Sequence, residues 1–110
     1  MVTTDQASYQ EGAAVVLTIQ NQEAGPVAYN ACTRDLEVGL GSEWTAGPAS
    51  LRLCTREVSY VAAGTTRVDS TSLDLGLPAG KYRIVVGFTR DEPTDETPIR
   101  AATNSFMIVP

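Results

Sequence analysis

The fold is decided by Leu77-Pro78-Ala79-Gly80-Lys81-Tyr82-Arg83-Ile84-Val85-Val86-Gly87-Phe88. In this stretch a turn leads straight into a strand, and this pattern is typical of a tyrosine corner. In such a corner the ring packs into a β-sandwich and its hydroxyl bonds to the backbone a few residues upstream. We therefore predict that Gly80 and Tyr82 form a structural corner, with the Tyr82 hydroxyl bonded to backbone between Leu75 and Ala79. Alternation places four side chains of this strand on one face: Tyr82, Ile84, Val86 and Phe88.

Working outward from this strand, the chain predicts others at intervals of about a dozen residues, the spacing of an all-β sandwich. Helix signals are nearly absent. The other predicted strands cover residues 13–20, 27–32, 35–40, 51–55, 58–61, 65–73 and 104–109, with a short extended piece at Trp44. Alternation predicts the faces Val15, Leu17 and Ile19, then Leu36, Val38 and Leu40, then Phe106 and Ile108. We predict a single domain over residues 1–110, an antiparallel β-sandwich of seven to eight strands.

The formal charge of −5 argues against a polyanionic partner. Nucleic acids and anionic membrane surfaces attract basic proteins, and this chain has only eight scattered basic residues. No apolar run approaches the roughly 20 residues that span a bilayer. The sequence therefore predicts neither a nucleic-acid partner nor a membrane span, and we expect a monomer.

Cys32 and Cys54 give the only indication of compartment. They are too far apart for a CxxC redox pair, and the chain has no histidine to complete a mixed zinc site. An even count favours a disulfide and hence an extracytoplasmic protein, whereas two free thiols in a cytosolic protein are the alternative. The first residues lack the basic start and apolar segment of a signal peptide, so a secreted chain would begin downstream of one.

Catalysis by the common residue constellations is not expected. Without histidine, Ser–His and Cys–His nucleophiles are absent. The only lysine, Lys81, begins a core strand and is expected to point to solvent, and no glycine-rich phosphate loop occurs. We therefore expect a protein that is not an enzyme and that needs no cofactor.

The segment from Arg90 to Pro98 is predicted to be an exposed loop, because its two prolines and four carboxylates suit neither a strand nor a core. These carboxylates could attract a basic partner or a cation, or they could simply be solvated. Calcium needs six to eight oxygens and the spacing does not match an EF-hand, so no metal site is expected. The candidate binding residues of this loop are Asp91, Glu92, Asp95 and Glu96.

Trp44, the single tryptophan, has two interpretations. Tryptophan in sandwich domains often packs in the core, whereas an exposed tryptophan in a loop often anchors a partner. Its position at the edge of a short extended piece favours packing in or at the core.

Taken together, these motifs resemble bacterial immunoglobulin-like domains. The matching pieces are Tyr9-x-x-Gly12 with Asn21, Val27-x-Tyr29-Asn30-x-Cys32, Gly41-x-x-Trp44, Cys54 and Leu77–Arg83. The resemblance implies a non-catalytic accessory, adhesion or spacer module of a bacterial envelope or secreted protein, with a protein or carbohydrate partner. One departure is that Ile84 stands where antibody-type domains have their second cysteine, so any bridge here joins different segments.

The opening strands are also similar to those of the intracellular proteinase inhibitors of bacilli. This second resemblance implies an alternative function, a β-sandwich that binds a protease through an exposed loop. The loop over residues 90–98 is the segment that would serve this purpose.

Overall fold

A computed structural model describes residues 1–47, 54, 58–90 and 99–110. In these ranges the chain is built from strands, with one 3-10 helix at Ala31–Thr33. The strands are β1 (Val2–Thr4), β2 (Ser8–Gln10), β3 (Ala14–Gln20), β4 (Val27–Tyr29), β5 (Asp35–Leu40), β6 (Glu43–Ala46), β7 (Ser59–Val61), β8 (Thr66–Ser72), β9 (Gly80–Arg90), β10 (Ile99–Ala102) and β11 (Phe106–Val109).

The strands form two sheets, which confirms the predicted β-sandwich. The small sheet has the order β1-β3-β8, and the large sheet has the order β2-β11-β9-β4-β7. Strand β9 is the centre of the large sheet, because β5 and β10 also pair with it, and β6 pairs with β5. The pairing is antiparallel throughout the described ranges except between β2 and β11, which run parallel.

The described ranges contain eleven strands, more than the predicted seven to eight. Seven of them match predicted strands and β6 matches the short extended piece at Trp44, whereas β1, β2 and β10 were not predicted. The predicted strand over 51–55 lies outside the described residues except for Cys54.

Three strands continue after an interruption. The 3-10 helix separates β4 from β5, and residues 103–105 separate β10 from β11. At the second break the Thr103 hydroxyl accepts a hydrogen bond from Ile84 N at 3.1 Å, so the side chain replaces a backbone partner of β9. The third interruption lies between β1 and β2. If each broken strand is counted once, the described part of the chain contains eight strands.

The interruption between β1 and β2 carries the chain from the small sheet to the large one. The Asp5 side chain stabilises the segment that connects β1 to β2. Its carboxylate accepts hydrogen bonds from the Tyr9 hydroxyl and from Val16 N, and Gln6 N donates to the same hydroxyl at 2.9 Å. The bond from Tyr9 lowers the pKa of Asp5, so the carboxylate stays ionised at neutral pH. The first strand therefore contributes to both sheets at a fixed corner.

The core lies between the sheets and contains the side chains that alternation predicts. It includes Val15, Leu17, Ile19, Tyr82, Ile84, Val86, Phe88, Phe106 and Ile108, all buried. One predicted position is wrong, because Leu40 is 63% exposed. Its side chain has the same parity as Leu36, but it is the last residue before the β5–β6 turn and lies beyond the edge of the core.

Polar contacts also join the two sheets. The Tyr29 hydroxyl on β4 donates to the Asp69 carboxylate on β8 at 2.8 Å. Burial, together with this bond, raises the pKa of Tyr29 to about 12. Arg34, which is buried, donates from its guanidinium to the carbonyl of Ser72 at 2.8 Å. The edge strand β8 therefore directs the Asp69 carboxylate toward the other sheet and offers the Ser72 carbonyl to Arg34. Inward-pointing charged residues are a common protection of exposed sheet edges.

The tyrosine corner is present as predicted. The Tyr82 ring is buried, and its hydroxyl donates to the carbonyl of Pro78 at 2.7 Å, inside the predicted window. Burial raises the pKa of this hydroxyl, so it remains a donor at neutral pH. Gly80 begins β9 two residues earlier. This corner ties the turn at residues 73–79 to the central strand.

Replacing Tyr82 with Phe is expected to lower the free energy of unfolding by about 0.5–1.5 kcal/mol. The ring and its packing stay, and only the hydrogen bond to Pro78 O is lost. Urea denaturation of both proteins measures the difference. Tyr60→Phe is the control, since this exposed tyrosine should change stability by less than about 0.5 kcal/mol. Equal stability of the Tyr82 variant and the unchanged protein would show that the corner bond contributes nothing.

The two cysteines form a disulfide. Cys32 in the 3-10 helix is joined to Cys54, with 5.7 Å between their Cα atoms. The bridge therefore connects the β4–β5 junction to the segment between β6 and β7, in line with the disulfide prediction and not with two free thiols. Disulfides persist in oxidising compartments. In the described ranges no helix is long and apolar enough to cross a membrane.

Candidate binding face

None of the predicted site residues in the described ranges belongs to a candidate binding cluster. The four carboxylates of the acidic loop, Asp91, Glu92, Asp95 and Glu96, lie outside the described residues. Cys32 and Cys54 are bridged, and Gly80 and Tyr82 belong to the corner. A different group of side chains meets on the outer face of the large sheet. We call this group the Trp44 face, and it consists of Asp35, Glu37, Gly39, Trp44, Lys81, Arg83, Arg100 and Met107.

Trp44 does not pack in the core, so the favoured sequence interpretation is wrong. It lies on β6 directly opposite Gly39 of β5 and is only partly buried. Gly39 has the parity opposite to the inward-facing Leu36, so both positions face away from the small sheet. The two-residue turn at Gly41-Ser42 fixes this register. Gly41 has a φ of +64°, as the first turn position of a type II′ hairpin requires.

Two cations from β9 lie against the Trp44 ring. The Arg83 guanidinium carbon is 4.4 Å from the ring centroid, and Lys81 Nζ is 5.3 Å from it. Both distances are within the range of cation–π attraction. The two side chains point outward because Tyr82, which lies between them, points into the core. An aromatic ring and two positive charges therefore share one patch of the surface.

Gly39 makes this arrangement possible. A Cβ atom at this position would lie 3.1 Å from Lys81 Cδ and 3.3 Å from Trp44 Cζ3, closer than most real contacts. Because position 39 of β5 has no side chain, the Trp44 and Lys81 side chains can come into contact above this strand. A larger residue at position 39 would push them apart.

Two ion pairs hold the rest of the face. Arg83 is 2.7 Å from the Glu37 carboxylate, its direct cross-strand neighbour, and both side chains are partly buried. Arg100 reaches across β9 to Asp35 at 3.0 Å, but both side chains are largely exposed, so this pair contributes little stability. The Arg83–Glu37 pair fixes the guanidinium that stacks on the ring.

The face differs in charge from the rest of the protein. It holds three cations and two carboxylates, a net charge of +1, whereas the whole chain carries −5. Met107 lies beside Lys81 on the neighbouring strand β11 and is 45% exposed. The patch therefore combines a tryptophan, an arginine, a lysine and an accessible apolar side chain.

This combination suits non-covalent recognition. Tryptophan and arginine are among the residues that contribute most to protein–protein binding, especially when their conformations are fixed before binding. Among the described residues, no group of three His, Cys, Asp or Glu side chains could hold a metal ion. The face consists of rigid sheet positions rather than loops.

No protein-family model matches this chain, and no curated protein matches it significantly.

Proposed function

We propose that this protein is a non-catalytic binding module, with an immunoglobulin-like sandwich, of a bacterial envelope or secreted protein. It acts as a monomer and binds a protein partner through the Trp44 face. The disulfide between Cys32 and Cys54 supports an extracytoplasmic location, because such bridges persist in oxidising compartments. The immunoglobulin-like assignment rests on the sequence resemblance together with the β-sandwich.

The observation that carries this proposal is the position of Trp44. A tryptophan offers a large apolar area, and burying it in the core would normally be favourable. Here the single tryptophan instead lies on the outer surface, with Arg83 stacked on it and Glu37 fixing Arg83. Because the Arg83 side chain is already ordered in the free protein, covering it with a partner costs little further side-chain conformational entropy. This pre-organisation favours a binding role over mere solubility.

Trp44→Ala is expected to weaken partner binding roughly thirtyfold, which corresponds to the hot-spot threshold of about 2 kcal/mol. Candidate partners are proteins from the same extracytoplasmic fraction that the immobilised domain retains. Each is then purified and titrated against the unchanged protein and the variant. Thermal unfolding checks that the variant remains folded, as expected for a position outside the core.

Val68→Ala is the matched control, since Val68 is 64% exposed on the small sheet. This change should leave the dissociation constant within about twofold, as surface substitutions away from a binding site usually do. Equal affinity of every purified partner for the Trp44→Ala variant and the unchanged protein would refute the proposal.

A further inference from the structure

Lys81 is the one cation of the Trp44 face for which the described ranges provide no carboxylate. Arg83 is paired with Glu37 and Arg100 with Asp35, while the Lys81 ammonium lies over the Trp44 ring. Lys81 is exposed and is the only lysine of the chain. An ammonium group with no anionic partner can gain a charge-assisted hydrogen bond when a carboxylate arrives, and such bonds are about twice as strong as neutral ones.

Trp44 and Met107 lie on opposite sides of Lys81 in the row of residues that crosses the strands. The register places Trp44 opposite Gly39 on β5, and Met107 of β11 opposite Lys81 of β9. Val38 of β5 is opposite Tyr82 of β9, so Gly39 lies level with Lys81. The row from Trp44 through Gly39 and Lys81 to Met107 therefore crosses three inter-strand gaps, about 14 Å at the usual spacing. In an extended peptide, alternate side chains point to the same side and four residues span about 13 Å. An apolar residue, an acidic residue and a second apolar residue at every other position would thus match Trp44, Lys81 and Met107.

The acidic background of the protein makes this match selective. The chain carries a net charge of −5 and the face a net charge of +1, so the rest of the protein carries −6 and on average repels an acidic segment, whereas the face attracts it. Specificity commonly combines one attractive site with repulsion at the alternatives.

We propose that the Trp44 face binds an extended acidic segment of a protein partner, in which one Asp or Glu lies two residues from an apolar residue on each side. The carboxylate pairs with Lys81, and the two apolar side chains contact Trp44 and Met107. This proposal rests on the proposed function and adds the chemistry of the partner.

The test uses a blocked seven-residue peptide with Leu-Ser-Glu-Ser-Leu at its centre, and the same peptide with Gln in place of Glu. Because Trp44 is the only tryptophan, its fluorescence reports directly on binding. The Glu peptide is expected to bind roughly tenfold more tightly than the Gln peptide. Lys81→Gln should remove this preference and Lys81→Arg should keep it. Arg67→Gln, an exposed cation on the small sheet, should not alter it.

Three outcomes would overturn the proposal: equal affinity for both peptides, a preference that survives Lys81→Gln, or no fluorescence change at millimolar peptide. If polygalacturonate changes the fluorescence while the peptides do not, the ligand is an acidic glycan and the peptide proposal is wrong. If a natural partner loses affinity on Trp44→Ala but shows no dependence on Lys81, only this further inference fails. If Trp44→Ala has no effect on any partner, the proposed function fails instead.

Discussion

Replacing Cys32 and Cys54 together by Ala is expected to lower the free energy of unfolding by about 3.4 kcal/mol. The bridge joins residues separated by 22 positions, and without it the unfolded chain gains the conformational entropy of that open loop. A loss of this size is a large share of the 5–15 kcal/mol that typically stabilises a domain. Urea denaturation of the unchanged protein and the double variant measures it.

The double variant should keep its fold at room temperature, so the β-rich circular dichroism spectrum serves as the control for native structure. A difference in stability below about 1 kcal/mol would contradict the chain-entropy argument. Two free thiols found by mass spectrometry, in protein folded under oxidising conditions without reductant, would contradict the bridge itself.

Phe106→Ala is expected to lower the free energy of unfolding by about 3–5 kcal/mol, the usual cost of removing a buried phenylalanine ring. Phe106 on β11 is among the largest fully buried side chains, and its ring meets Tyr9 edge-to-face with 5.3 Å between centroids. The substitution leaves a cavity in the core between the two sheets, beneath β11. Urea denaturation again gives the measurement.

The neighbouring residue Met107 provides the matched control, because it lies on the same strand and faces the opposite side of the sheet. Met107→Ala should change stability by less than about 0.5 kcal/mol. Similar losses in the two variants would mean that the inward and outward faces of β11 are wrongly assigned.

Alternation and the corner motif predicted part of the core: they wrongly included Leu40 and did not identify buried residues such as Tyr9 and Tyr29. The burial of Tyr82, Ile84 and Phe88 was predictable because the alternation of side chains across a strand depends only on local backbone geometry. The crossing of the chain between sheets at Asp5 was not predictable, since its hydrogen bonds to Tyr9 and Val16 connect residues whose proximity arises only in the folded sandwich.

The Trp44 face was only partly accessible to prediction. The outward direction of Lys81 follows from the inward direction of Tyr82, and the sequence did predict that Lys81 points to solvent. The side of the sheet that Trp44 occupies depends on the hairpin register, which the two-residue turn after Leu40 sets. That turn, with Gly41 at its first position, was the signal that could have placed Trp44 opposite Gly39.

The parallel pairing of β2 with β11 has a mechanical consequence. These strands lie near the two ends of the domain, run in the same direction and exchange hydrogen bonds in the register Ser8–Met107 to Gln10–Val109. When the two ends of the chain are pulled apart, the force acts along both strands. The hydrogen bonds between β2 and β11 are then loaded together in shear and do not break one at a time. The β1–β3 pair is loaded in the same way, since Met1 lies next to Gln20 at the far end of β3. We therefore expect the sandwich to resist unfolding when its two ends are pulled apart.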